Sequence, residues 1–377
     1  MSANRVRVWD LPTRIFHWGL VASFTAAWLL RGDQYLYLHV LAGYLFLFLL
    51  LFRVYWGLKG SFHARFSSFI RPFPEAWEYL KNTARGRAFR FLGHNPAGGW
   101  AVLLLILLGL MVATTGLLTL GVEEGHGPLA GILGREWSSL FHEIHETLAW
   151  LMLCLVAVHL TAVVVESRLH RDNLPLAMVT GYKRRDAAES VKEIRSHPVV
   201  ALVLLTVMFM FSLWWVKGYF LQSAADPFLP FHGPLLSFDA TWEEECGACH
   251  LAYHPQLLPG RSWNRLLARQ EDHFSEDLYL DAETVSRLRE YALANSSDKA
   301  VTEAGWKIGE SISPAEAPVR ITETGYWKEK HGEIPEKVWT RSDISGRHDC
   351  VACHLDADRG WFEDSAMRIP ASRKNMS

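Results

Sequence analysis

The sequence predicts an all-α chain in two parts, a transmembrane helical bundle followed by a small helical domain. Three observations carry this reading. Five strongly apolar stretches lie at about 15–30, 38–57, 99–120, 142–166 and 198–221. The charge balance then changes sign: 21 Lys+Arg face 14 Asp+Glu up to residue 221, and 17 face 26 after it, within a net charge of −2. The second part also carries two Cys-x-x-Cys-His pentapeptides, Cys246-Gly-Ala-Cys249-His250 and Cys350-Val-Ala-Cys353-His354. Each apolar stretch is long enough, with tilt where needed, to cross a hydrocarbon layer of ~30 Å at ~1.5 Å per residue.

Taken in order, the first stretch reads as a retained span. Trp28, Leu29, Leu30 and Arg31 follow the apolar run, with no small-residue cleavage motif. Basic residues then orient the bundle. Arg5, Arg7 and Arg14 precede the first span; Arg53, Lys59, Arg65, Arg71, Lys81, Arg85, Arg87 and Arg90 separate the second from the third. Arg168, Arg171, Lys183, Arg184, Arg185, Lys192 and Arg195 follow the fourth, while the opposite connections hold only Arg31 and Arg135. The positive-inside rule puts the amino terminus in the cytoplasm of a bacterial inner membrane, and five spans put the second part in the periplasm. The expected domains are a four-helix membrane domain over 1–197, a fifth helix over 198–221, a Pro-rich linker over 222–240 and a soluble domain over 241–377. Asp226-Pro-Phe-Leu-Pro-Phe-His-Gly-Pro234 makes the linker, because prolines deny it regular structure.

Histidines inside apolar helices need a reason, since burying an ionisable group without a partner is costly. His145 and His159 are 14 residues apart in one stretch, which returns them to nearly the same helix face about 21 Å apart. His17 and His159 share the cytoplasmic depth, and His39 and His145 the periplasmic depth. Two b-type haems follow from these pairs, with interhelical hydrogen bonding by neutral imidazoles as the alternative. His142 falls off the shared face and is assigned to the aqueous end.

The pentapeptides add two covalent c haems. In each, two thiols form thioethers with the haem vinyl groups and the following His becomes an axial ligand. A four-thiolate zinc site is the alternative; it leaves the His after each pair unexplained.

Val8-Trp-Asp-Leu-Pro-Thr-Arg-Ile-Phe-His-Trp18, Leu38-His-Val-Leu-Ala-Gly-Tyr44 and His142-Glu-Ile-His-Glu-Thr-Leu148 resemble the bacterial cytochrome b561 and nickel-iron hydrogenase b-type cytochrome family over about 5–180. The resemblance implies a two-haem, four-helix core ligated by the same four histidines, and exchange of electrons with membrane quinone. Gly93-His-Asn-Pro-Ala-Gly-Gly99 is similar to a turn that shapes the quinone pocket in related subunits, which implies His94 and Asn95 as contacts to a quinone oxygen. An ordinary Asn-Pro/Gly turn explains it equally well.

Glu245-Cys-Gly-Ala-Cys-His-Leu-Ala-Tyr253, Leu258-Pro-Gly-Arg-Ser-Trp263, Asp272-His-Phe-Ser-Glu-Asp277 and Arg347-His-Asp-Cys-Val-Ala-Cys-His354 resemble the periplasmic dihaem cytochrome c family over about 240–370. His254 departs from the proline more usual there. That family's pattern implies two axial histidines per haem. His254 and His348 sit too close to the attachment motifs to cross the porphyrin, so the resemblance assigns His273 to the first c haem and His331 to the second, with the pairing open. Helices are expected over Trp263–His273 and Ala282–Ala294, the latter capped by Leu280-Asp281-Ala282-Glu283-Thr284.

Together these readings describe a tetrahaem electron carrier between membrane quinol and a periplasmic redox protein such as a soluble c-type cytochrome, with quinol:cytochrome c-type oxidoreductase activity as an open question. A hydrogenase or dehydrogenase membrane subunit and a gas-sensing haem protein are the alternatives. A lipid bilayer is a required partner, a homodimer is compatible with the sequence, and no nucleic-acid partner is expected. Glu243, Glu244 and Glu245 are a weak docking candidate. Cys154 needs no redox role, since a small, weakly polar residue is compatible with a buried helix, and Glu123 and Glu124 either conduct protons or keep their loop solvated, with the second reading favoured.

Overall fold

The computed structural model describes residues 5–185, 194–223 and 227–370; Lys192, Asp226 and the last seven residues of the soluble domain lie outside them. It divides into two compact units, Met1–Arg31, Leu38–Thr119 and Ile132–Lys217 in the first, and Gly32–Tyr37, Leu120–Gly131 and Gly218–Ser377 in the second.

The first unit begins with strand β1 (Arg5–Arg7) and helix α1 (Leu11–Leu29), followed by α2 (Leu36–Lys59), α3 (Phe66–Phe69), α4 (Phe73–Ala84), α5 (Pro96–Val122), α6 (Ser138–Leu169), α7 (Leu174–Thr180), strand β2 (Tyr182–Arg184) and α8 (Pro198–Leu221). Among the described residues of the chain, four helical stretches, Asp33–Lys59, Pro96–Val122, Arg135–Leu169 and Pro198–Leu221, are long and apolar enough to cross a membrane. The chain is therefore a multi-pass membrane protein. The first expected span forms α1, 19 residues long, whose apolar run is diluted by Thr13, Arg14, His17 and Ser23. Asp10 starts it: one carboxylate oxygen accepts from the Thr13 N–H at 2.9 Å, capping the helix, and the other accepts from the Trp56 indole at 3.0 Å. Pro12 occupies the first turn, where no amide is needed.

No strand is expected in an all-α chain, yet β1 pairs antiparallel with β2 in the register Arg5↔Arg184, Val6↔Lys183 and Arg7↔Tyr182. The ribbon covers a small core of Val8, Trp9 and Ala177. Arg53, counted above among the connection residues, lies inside α2 and is 3 % exposed. Its guanidinium donates to the Ala64 carbonyl at 3.0 Å and stands over the rings of Phe66 and Phe16, which replaces water by hydrogen bonding and cation–π contact. Phe46 and Leu50 of α2, Ile106 and Val112 of α5 and Met152 of α6 form the apolar core of the bundle.

The second unit carries α9 (Ala240–Gly247), α10 (Gly260–Leu267), α11 (Ala282–Ala294), α12 (Glu303–Glu310), α13 (Gly325–His331) and α14 (Glu336–Trp339). Residues 227–239 form neither helix nor strand, in keeping with their prolines. Trp242, Leu258, Trp263, Leu267, Leu288 and Ile308 fill its core. Helix α11 starts where the capping sequence placed it, with the Asp281 side chain accepting from the Glu283 and Thr284 amides. The helix expected over 263–273 is shorter. It ends at Leu267, and His273 enters a tight turn closed by its backbone bonds with Glu276, with Phe274 and Ser275 at φ 57° and 80°.

Candidate redox centres

In the bundle, helix packing rather than sequence neighbourhood presents the imidazoles. His39 of α2 and His145 of α6 face each other with ring centres 6.2 Å apart. His39 Nδ1 bonds the Ala27 carbonyl of α1 at 2.9 Å, and His145 Nδ1 bonds the Val112 carbonyl of α5 at 3.1 Å. A carbonyl only accepts, so each Nδ1 carries the proton and each Nε2 keeps its lone pair. A Cβ on Gly116 would lie 2.9 Å from the His145 ring, and one on Gly43, a turn after His39, would meet no protein atom within 4 Å. His17 of α1 and His159 of α6 lie within electrostatic reach of each other, and His17 Nδ1 is buried without a partner. His142, expected at the aqueous end, is exposed near the start of α6.

In the second unit, α9 carries Cys246 in its last turn, and Cys350–Ala352 form a single 3₁₀ turn closed by the Cys353 and His354 amides on the Cys350 carbonyl. The three-residue step of such a turn sets Cys350 and Cys353 on one side. His250 and His273 stand with ring centres 6.3 Å apart, and His354 and His331 6.1 Å apart. His331 Nδ1 bonds the Trp327 carbonyl at 2.9 Å, and its ring stacks on Trp327 at 4.4 Å. The Tyr253 hydroxyl donates to the His348 carbonyl and also bonds the Cys350 thiol, so it links the two motifs. His254 is buried against Phe238 and Tyr291, and His348 is exposed.

Two imidazoles bound through nitrogen to opposite faces of one metal at ~2.0–2.1 Å, each ring centre a further ~1 Å out, stand about 6 Å apart. Three histidine pairs meet that spacing. Among the described residues the four motif cysteines do not gather into a metal-binding group. The residues fit haem and not zinc.

Residues 8–181 match the family model for prokaryotic cytochrome b561, and residues 242–362 that for dihaem cytochrome c. The chain joins a cytochrome b561 domain to a dihaem cytochrome c domain. It is 28 % identical to a probable Ni/Fe-hydrogenase B-type cytochrome subunit of Cupriavidus necator, over 48 % of this chain and 88 % of that one. A protein of the same description from Azotobacter chroococcum is 28 % identical over 47 % of this chain and 88 % of its own length. The solved diheme cytochrome c from Rhodobacter sphaeroides is 32 % identical, covering 34 % of this chain and 99 % of that one, at a TM-score of 0.30. The two families imply b-type haem, two c-type haems and electron transfer.

In the cytochrome b561 domain, a cavity of about 200 Å³ lies between α2 and α5, lined by His63, Phe69, Phe91, Leu92, Gly93 and His94 among others. His94 packs between Phe69 and Trp9, and its Nδ1 is buried without a partner. Burial, reinforced by the Arg53 charge, holds its imidazole well below the ordinary value, so it is neutral. Asn95 is beside the cavity rather than in its lining. Its carbonyl oxygen caps α5 by accepting from the Gly98 amide at 2.6 Å, and its amide donates to Glu166 at 3.0 Å. Glu166 also accepts from the Tyr79 hydroxyl at 2.6 Å. His63, Tyr79 and Glu166 were missed in the sequence because no spacing links them to the Gly93–Gly99 turn.

Proposed function

We propose that this membrane cytochrome exchanges electrons between quinone in the bilayer and a periplasmic redox protein. In this reading His39 with His145 and His17 with His159 hold two b haems. His250 with His273 and His354 with His331 hold two c haems, attached at Cys246 and Cys249 and at Cys350 and Cys353. Haem supplies one-electron redox chemistry at each position. The observation that carries the reading is the recurrence of opposed imidazoles at 6.1–6.3 Å in both domains.

The protein's own part is to fix each imidazole where it would hold a haem. Carbonyls hold the Nδ1 protons of His39, His145 and His331, which aims each Nε2 at the metal and raises its basicity. Two histidines holding one haem would leave no open position for oxygen or another gas, which speaks for electron transfer and against sensing. At the cavity, neutral His94 offers a hydrogen-bonding nitrogen toward a quinone oxygen, and Asn95 positions the turn through Gly98 and Glu166. The positive-inside pattern supports a cytoplasmic location for this cavity and a periplasmic one for the c domain.

The hydrogenase-subunit descriptions of the relatives favour a second reading, in which a separate dehydrogenase delivers electrons to the b domain. A catalytic subunit that copurifies with the chain would decide for it. Anaerobic stopped-flow mixing with a quinol, read at the b and c absorption bands, tests the first reading. The wild type is expected to reduce at both bands. His94→Leu keeps apolar bulk but removes the ring nitrogens, and is expected to slow quinol reduction at least tenfold while dithionite reduction is unchanged. An unaltered quinol rate in His94→Leu would move the quinone site away from this cavity.

A further inference from the structure

Helix α4 divides into three faces. At ~100° per residue, Phe73, Trp77 and Leu80 fall within one sector of ~60°, and all three are exposed. Ala76 and Tyr79 make the inner face, 3 % and 7 % exposed. Glu75 and Glu78 are exposed as well and lie at least ~100° from the apolar sector. The helix cannot roll its apolar side inward, because Tyr79 holds it. The Tyr79 hydroxyl donates to Glu166 of α6 at 2.6 Å, and its ring meets Phe91 edge-on at 5.7 Å. A surface helix of a water-soluble protein turns such an apolar sector to the core, whereas α4 turns it outward.

The surroundings say what covers it. Helix α4 lies in the connection between α2 and α5, both long and apolar enough to cross a membrane, while its own 12 residues are too few to cross. Its start is fastened to the start of α5. The Phe73 ring meets Trp100 edge-on at 5.8 Å, and the Trp100 indole donates to the Arg71 carbonyl at 3.0 Å. Trp100 in turn heads an exposed stripe of Leu104, Leu107 and Met111 along α5, whose steps of four and three residues keep to one helix face. An exposed apolar stripe on a membrane helix faces lipid, so the apolar sector of α4 continues that lipid-facing surface at its end, the depth at which tryptophan concentrates. Cations gather there too. Arg71, Lys81, Arg85 and Arg87 are all exposed, against the two carboxylates of Glu75 and Glu78. The Lys81 ammonium stands 5.6 Å from the Trp77 ring centre, as when a lysine stem lies along apolar surface and its charge reaches for the headgroups.

We propose that α4 lies in the plane of the bilayer surface and binds anionic phospholipid, with Phe73, Trp77 and Leu80 among the acyl chains next to the headgroups and Lys81, Arg85 and Arg87 on lipid phosphates. Burial of the three apolar side chains supplies binding that is indifferent to the headgroup, and the cations supply the preference for anionic lipid. Glu75 and Glu78, on the far side of the helix, then face water and stay clear of the phosphates. The competing occupant is a protein that docks on the same apolar sector from the aqueous side.

The test uses the full-length, haem-loaded protein in nanodiscs of phosphatidylcholine and phosphatidylglycerol. Nitroxide labels are attached one at a time to Trp77→Cys, Leu80→Cys, Glu75→Cys and Glu78→Cys, in a Cys154→Ala parent that should take up no label itself. Power-saturation EPR is expected to show the labels at 77 and 80 colliding mostly with oxygen, which concentrates among acyl chains, and those at 75 and 78 mostly with a water-soluble nickel chelate. Labels at 77 and 80 as open to the chelate as those at 75 and 78 would overturn the membrane placement in favour of a docking protein. The headgroup preference is read by native mass spectrometry of the unlabelled protein in neutral detergent. The first phosphatidylglycerol is expected to bind about fivefold more tightly than the first phosphatidylcholine, the effect of about one basic residue at an anionic surface. Joint Lys81→Gln, Arg85→Gln and Arg87→Gln substitution is expected to abolish most of that preference, with the haem spectra unchanged. Equal binding of the two lipids by wild type, or an undiminished preference in the triple variant, would overturn the anionic-lipid assignment. Should the triple variant not accumulate, the labelled proteins, which keep every cation, and the wild-type preference still decide.

Discussion

The membrane domain and the c domain oppose their imidazoles at nearly the same separation, 6.2 Å for His39 with His145 and 6.1 Å for His331 with His354, but they hold them differently. In the membrane domain each Nδ1 bonds a carbonyl of another helix, Ala27 of α1 for His39 and Val112 of α5 for His145. In the c domain His331 uses Trp327, one turn back in its own helix, and His250 uses the adjacent Leu251. The proposed b site is therefore a product of bundle packing, and its two imidazoles are aimed as observed only when α1, α2, α5 and α6 are in place. The proposed c sites are set locally at His331 and His250, while the Nδ1 atoms of His273 and His354 are buried without a partner, and two cysteines per site would add a covalent tether that no ligand substitution removes. The same chemistry can be fixed from afar or from close by, and the two ways fail differently.

The largest expected contrast follows directly. His145→Ala removes the imidazole that faces His39, and without a covalent tether the haem is expected to leave that site. A pyridine haemochrome assay should move from a c-to-b ratio of about one to about two, with c content unchanged. An unchanged ratio would break the assignment of His145. The parallel change in the c domain, His331→Ala, is expected to retain all c haem, since Cys350 and Cys353 hold it. One iron should turn high-spin and bind carbon monoxide, visible in the Soret band. Loss of c haem from this variant would mean that ligation, and not the tether, holds the group in both domains.

A smaller contrast lies in the helix caps. Asp10 is fully buried and serves two elements, capping α1 and accepting from Trp56 of α2. Asp10→Ala removes the cap and leaves the Trp56 N–H buried without a partner, a destabilisation of about 2 kcal/mol. Thermal loss of the b-haem Soret signal in detergent should shift down by several degrees, with Asp10→Asn recovering most of the shift. A shift equal to that of an exposed cap would show that the Trp56 bond carries little.

What was legible in the sequence follows the same division. The placing of His145 and His159 on one helix was readable because a 14-residue step has a fixed meaning there, and α11 was readable because Asp281 caps it locally. The end of α10 at Leu267 was missed because the turn that presents His273 uses left-handed Phe274 and Ser275, which no glycine announces. The β1–β2 ribbon is three residues on each side, too short to show alternation. Arg53 reads as a loop charge until the cage of Phe16 and Phe66 is seen around it. Glu166 collects Tyr79 and Asn95 from distant segments, and Glu124 meets Glu303 and Asp364 likewise, beside a buried Glu123 where the sequence suggests a solvated loop. Contacts of that range leave no trace in spacing.

The smallest expected effect sharpens the comparison at its exposed end. Asp281 caps α11 with bonds from the Glu283 and Thr284 amides at 2.9 Å and from the Thr284 hydroxyl at 3.0 Å. These bonds, the Thr284 amide first, lower its carboxyl below the ordinary 3.8. A lowered folded-state pKa means that the charged cap stabilises the c domain fully above the unfolded-state value and that this contribution fades as pH falls through the folded one. The c-domain melting temperature of wild type should therefore drop more steeply than that of Asp281→Asn between pH 5 and 3, the two curves running parallel above pH 5. Asparagine keeps an oxygen able to accept from both amides, so the offset above pH 5 should be slight. Curves that stay parallel down to pH 3 would show that the Asp281 charge contributes nothing, leaving its cap a matter of geometry alone.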